Sequence, residues 1–212
     1  MTDVDPSDKR KREAAERFLE RDFDQCFSEK RRYEDAAWDV TKFTFTAYSA
    51  ILGVAIGTRQ FSVTSTVDLT PVAVGLLAVG VLIGVFALLM VVRNRVYFVL
   101  VTRYINEQRR FFLAEQPLGF QNEASLFTDP RQPPFFSWGS TQSWAALLIA
   151  TLNSLMAAVL VFILLAGHPY AVLGAVVAGL AIEVGQSMSA VLYLKSRENK
   201  TAEQAAYGNN SG

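Results

Sequence analysis

Residues 71–92 read PVAVGLLAVGVLIGVFALLMVV, an uncharged run that stops abruptly at Arg93, Asn94 and Arg95. A bilayer core of about 30 Å is crossed by about 20 apolar residues in α-helical form. The run therefore predicts a membrane span, and this decides the fold class. The rest of the chain is read outward from it.

Upstream, residues 43–58, FTFTAYSAILGVAIGT, form a shorter uncharged run. It reaches spanning length if Lys42 and Arg59 extend toward the two interfaces. A re-entrant or interfacial helix is the alternative reading. Downstream, 144–166 and 170–193 are two further apolar runs, the second interrupted only by Glu183. Gly167, His168 and Pro169 separate them, and a proline there cannot continue the first helix but suits the start of the second. Four spans are thus expected, as two antiparallel hairpins.

Orientation follows from the basic residues, which concentrate on the cytoplasmic side. With four alternating spans, nineteen of the 20 Lys and Arg fall on one side, and only Arg59 falls on the other. The sequence therefore reads as an all-α integral membrane protein of the inner or plasma membrane, both termini cytoplasmic, with a cytoplasmic helical stalk. The expected divisions are an amphipathic helix over 1–42, a first transmembrane hairpin over 43–92, a cytoplasmic helix and Pro-rich loop over 93–140, a second hairpin over 141–194, and a tail over 195–212. Phe135, Phe136, Trp138 and Trp144 flank the third span as an interfacial aromatic belt would. No cleavable leader is apparent in the polar first 42 residues.

In the aqueous parts, Leu19, Phe23, Cys26, Tyr33, Ala37 and Val40 recur at spacings of three, four or seven, with Lys30 in the gap. This stripe packs on neighbours within the chain, or it receives a partner. Residues 93–115 continue the second span as helix, with Tyr97, Leu100, Tyr104 and Phe111 on an apolar face expected to pack against the amino-terminal helix. The prolines at 117, 130, 133 and 134 mark a loop, and the tail from Thr201 is expected to be disordered.

The charge balance of 20 Lys+Arg against 20 Asp+Glu excludes the simplest nucleic-acid reading, which needs a basic excess. One cysteine, Cys26, cannot form an internal disulfide. No nucleophile motif, phosphate loop, cofactor fingerprint or metal-ligand spacing is present. No catalytic, cofactor or metal role is therefore assigned, and His168 reads as a solvated turn residue.

The outlier is Glu183, because a carboxylate within a span is costly and normally faces a bundle interior or a water-filled cavity. Asn153 lies as far before the turn as Glu183 lies after it, which predicts equal depth and a hydrogen bond between them. With Ser154, Gln186 and Ser187 they form a candidate intramembrane polar cluster. Either it ties helices together, or it is an ion or proton site. Small residues mark expected helix-packing faces: Ser49, Gly53 and Gly57; Gly80 and Gly84; Ala171, Ala175 and Gly179, leading on to Glu183 and Ser187.

The layout is similar to that of small bacterial membrane proteins pairing a few spans with a helical cytoplasmic part, some of them oligomeric membrane effectors. No motif carries that likeness and no residue role is taken from it. The expected function is a non-enzymatic, self-associating membrane protein, a scaffold or gated pore whose cytoplasmic helices receive a protein partner or signal. The rival is a small ion- or proton-coupled carrier or channel using Glu183. The expected partners are the lipid bilayer, further copies of the chain and a cytoplasmic protein, but not nucleic acid.

Overall fold

The computed structural model describes residues 6–64, 66–114, 122–123 and 127–208. Among these residues the regular structure is entirely helical: α1 (Pro6–Thr64), α2 (Thr70–Ala114), α3 (Thr141–Leu164) and α4 (Ala171–Gly208). Each of the four is long and apolar enough to cross a membrane. The run over 43–58 is therefore not an isolated short segment but part of one continuous helix, which relieves its marginal length. Helix α4 continues to Gly208, so the expected disorder from Thr201 is corrected for 201–208. Residues 209–212 and Pro117 lie outside the described residues.

The chain divides into two compact units, one of residues 1–34 and 97–134, the other of 35–96 and 135–212. In the larger unit, Tyr48 and Ala55 of α1, Ala73 and Leu77 of α2 and Met156 of α3 form a buried cluster, surrounded by Ile51, Leu52, Val81, Leu152, Val159, Leu160 and Ile163. Helices α1 and α2 run antiparallel, because Gly80 faces Ile51 and Gly84 faces Tyr48. Their connection is pinned at both ends. Arg59 Nη1 donates to Thr70 Oγ1 at 2.9 Å, and Asp68 Oδ1 accepts from the Thr70 amide at 2.9 Å, at the start of α2. The Thr70 side-chain and amide hydrogen bonds, with Arg59 nearby, hold the Asp68 carboxyl below its usual range.

Helix α4 packs along α3, and the fourth-span row of small residues is what meets it. Ala171, Ala175 and Gly179 are buried, and a Cβ on Gly179 would lie 3.2 Å from the Ala158 Cβ and 3.4 Å from the Ser154 carbonyl oxygen. The turn between the helices places Gly167 at φ +92°, a backbone region that glycine enters without steric cost. The His168 amide donates to the Leu165 carbonyl at 3.0 Å there.

The segment entering α3 is held by its own peptide group. Arg95 Nε donates to the Phe135 carbonyl at 2.9 Å, and the Phe135 amide donates to Glu198 Oε2 at 3.0 Å. The Phe135 ring is 1% exposed, so it belongs to the protein interior and not to an aromatic belt. Trp138 and Trp144 are exposed, and the Trp144 indole donates to the Trp138 carbonyl at 2.7 Å.

In the smaller unit, the expected stripe of α1 is half-buried at Leu19, Phe23, Cys26 and Tyr33, so it packs within the chain. Lys30 fills its gap with its ammonium over the Phe27 and Phe98 rings, 6.0 and 5.6 Å from their centroids. The face of α2 departs from expectation. Tyr97, Leu100, Tyr104 and Phe111 are exposed, whereas Val99, Arg103, Ile105 and Asn106 are buried. The reason is the loop. Arg103 Nε donates to the Pro133 carbonyl at 3.1 Å, and Asn106 Nδ2 donates to the Asp129 and Gln132 carbonyls at 3.1 and 2.9 Å. Polar residues on α2 thus satisfy loop carbonyls that would otherwise be buried without donors. The aromatic face still touches α1 at its edge. Tyr33 and Tyr97 stack at 5.5 Å, and Asp22 Oδ2 accepts from Tyr104 and Gln108 at 2.9 and 2.6 Å.

Candidate functional site

The polar residues singled out in α3 and α4 fall into two groups on opposite sides of α3. On the α4 side, Glu183 Oε1 accepts from Ser187 Oγ at 3.0 Å and lies 3.4 Å from Thr151 Oγ1. The Thr151 hydroxyl also points at the Leu147 carbonyl of its own helix, at 3.0 Å. It has one proton, so Ser187 is the stronger donor to Glu183. The second carboxyl oxygen, Oε2, is buried and has no hydrogen-bond partner among the described residues. Gln186 Oε1, one helical turn further on, is buried and without a partner as well. Ser154 turns back on its own helix, its hydroxyl donating to the Thr151 carbonyl at 2.8 Å.

Asn153 belongs to the other group. It is fully buried, and its Oδ1 accepts from the Tyr48 hydroxyl of α1 at 2.8 Å. Its Nδ2 has no hydrogen-bond partner among the described residues. The expected Asn153–Glu183 hydrogen bond is therefore absent. Counting residues from the turn bears on depth alone and leaves the angle about the helix axis open. An α-helix turns about 100° per residue. Thr151, Ser154, Ala158, Val161 and Leu165 form the row that meets α4, as Thr151 and Glu183, Ala158 and Gly179, and Leu165 and Gly174 show. Asn153 follows Thr151 by two residues and so points well away, toward α1 and α2.

The two predicted glycine rows also separate. Gly80 and Gly84 are filled from within the chain: a Cβ on Gly80 would lie 3.2 Å from Met156 Cε, and one on Gly84 would overlap the Tyr48 hydroxyl and lie 2.6 Å from Asn153 Oδ1. Glycine at 84 is what lets Tyr48 and Asn153 meet. Ser49, Gly53 and Gly57 lie instead on an exposed face of α1, with nothing within 4 Å of a Cβ on either glycine.

Two site residues were missed in the sequence. Tyr48 stands in the periodic row Ala37, Thr41, Thr44, Tyr48 and Ala55, all buried, and that spacing was the signal that could have found it. Thr151 could have been found from the same three-and-four spacing on α3. Among the described residues no group of three or more His, Cys, Asp or Glu side chains is arranged to hold a metal ion.

No protein-family model, curated protein or solved structure matches this chain.

Proposed function

We propose that the chain is a non-enzymatic, self-associating integral membrane protein of the inner or plasma membrane, a scaffold or gated pore. In this reading α1/α2 and α3/α4 cross as two antiparallel hairpins with both termini cytoplasmic, because the basic residues then lie almost all on one side. The helical stalk of residues 1–42 and 93–140 stands in the cytoplasm and receives a protein partner or signal.

The observation that carries self-association is the row Ser49, Gly53 and Gly57. The other glycine row of the first hairpin is consumed by the chain's own Tyr48, Asn153, Ile51 and Met156, whereas among the described residues Ser49 is exposed and nothing approaches a Cβ on Gly53 or Gly57 within 4 Å. In lipid, where apolar burial alone gives helices little reason to associate, bare rows of small residues are where backbones approach closely. The heptad-like stripe of α1 is a weaker candidate for assembly, because it is occupied within the chain. Native mass spectrometry from nanodiscs tests the reading. A discrete oligomer is expected for the parent protein, with a shift to monomer for Gly53→Leu and Gly57→Leu. A monomeric parent protein would overturn it.

A second reading, an ion- or proton-coupled carrier or channel using Glu183, is favoured by one observation: a buried carboxyl oxygen on the α3–α4 seam without a hydrogen-bond partner among the described residues. Proton or cation flux in proteoliposomes is then expected to vanish in Glu183→Gln, and unchanged flux would refute it.

A further inference from the structure

The two oxygens of Glu183 are treated unequally. Oε1 has a donor in Ser187 at 3.0 Å and a second hydroxyl, Thr151, at 3.4 Å, while Oε2 is buried and accepts from no group among the described residues. An ionised carboxylate spreads its charge over both oxygens, and each accepts. A neutral acid has one carbonyl oxygen that accepts and one hydroxyl that donates. The arrangement around Glu183 matches the neutral acid, and a hydroxyl on Oε2 needs an acceptor. Gln186 Oε1 is a buried acceptor without a donor, three residues on, where side chains are neighbours on the helix surface.

The charge environment agrees. Helix α3, which packs along α4, carries no Asp, Glu, His, Lys or Arg between Thr141 and Leu164. On α4 itself Glu183 is the one ionisable carboxyl or amine before Lys195, with Tyr193 the nearest other titratable group. No cation on either helix offsets an ionised carboxylate there, and burying an unpaired charge costs far more than protonating it.

We propose that Glu183 carries an exchangeable proton on Oε2, so that the ligand of the α3–α4 site is a proton and not a metal cation, and that this carboxyl is a modification site for apolar carbodiimides. The inference rests on the second reading above, in which Glu183 is an ion site. The chemistry requires the proton. The carboxyl hydrogen passes to one carbodiimide nitrogen while the carboxyl oxygen bonds to the central carbon, giving an O-acylisourea. Where water and amines are excluded, the acyl group then migrates from oxygen to nitrogen, giving a stable N-acylurea. This is an addition followed by a rearrangement, with no leaving group, so the peptide gains the full mass of the reagent.

The test treats the full-length protein in nanodiscs with dicyclohexylcarbodiimide and maps the adduct by peptide mass spectrometry. Adduct at Glu183 is expected, unaffected by excess sodium, potassium or calcium, and absent in Glu183→Gln. Glu183→Asp serves as a second variant and should retain a labelled carboxyl. Protection by any of these cations would overturn the proposal in favour of a metal-ion site. Absence of adduct in both the parent protein and Glu183→Asp would overturn it outright. Proton flux in proteoliposomes, measured in parallel, separates the two ideas. Labelling without any effect on flux sustains the proton and removes the carrier. Flux that depends on Glu183 without labelling does the reverse.

Discussion

Replacing Gly84 with alanine adds a single methyl group to α2 where the polar side chains of Tyr48 from α1 and Asn153 from α3 meet against it. The new Cβ would overlap the Tyr48 hydroxyl and stand 2.6 Å from Asn153 Oδ1 and 2.8 Å from Asn153 Cγ. Tyr48 is 2% exposed and Asn153 is fully buried, so neither side chain has room to swing aside. Overpacking a tight interior costs about 1–3 kcal/mol. Separating Tyr48 from Asn153 loses a hydrogen bond worth about 0.6–2 kcal/mol in a membrane interior. Alanine returns up to about 1 kcal/mol of helix propensity, which is too little to offset both losses. A net destabilisation of about 1–4 kcal/mol follows from these ranges. Gly53→Ala supplies the control, because nothing lies within 4 Å of its Cβ and it keeps the propensity gain alone. Reversible unfolding in mixed micelles, followed by helix circular dichroism, measures both. The same substitution in a Tyr48→Phe background should cost less, because the hydroxyl that it strikes is gone. A Gly84→Ala protein as stable as its parent, or a cost identical in both backgrounds, would show that the three residues do not meet as described.

Two further outcomes follow from the smaller unit. Asn106→Ala removes both side-chain donors to the Asp129 and Gln132 carbonyls, at about 0.5–1.5 kcal/mol each, and hydrogen exchange of the amides over 127–134 should quicken while helix α3 keeps its protection; equal exchange in both proteins would count against the clamp. Burial, then the Asp22 and Glu29 carboxylates, push the Cys26 thiol up from its ordinary value. The thiol therefore stays neutral to higher pH, and its alkylation rate should still be rising where an ordinary thiol, with a pKa of about 8.5, begins to level off. Asp22→Asn should move that profile back toward the ordinary one, and a parent profile that already coincides with a free thiol would remove the effect.

Hydropathy along the chain was enough to locate the apolar cores of all four long helices and the turn at Gly167, because a bilayer demands length and freedom from charge, and both are one-dimensional properties. It was also enough to mark Glu183, since an ionisable group among apolar neighbours stands out without any fold. The row Ala171, Ala175 and Gly179 was legible as a packing face because its four-residue spacing keeps it on one side of a helix. What a linear reading could not supply was the direction in which each side chain points once helices are placed around it. Tyr97, Leu100, Tyr104 and Phe111 share a face in sequence, yet the loop carbonyls of Asp129, Gln132 and Pro133 claim the opposite face, which holds Arg103 and Asn106. Asn153 and Glu183 lie equally far from the turn in sequence, but Asn153 turns to Tyr48 and Glu183 to Ser187 and Thr151. Depth is set by counting residues from a turn, whereas azimuth is set by which neighbours fill the space around the helix, and only packing in three dimensions decides that.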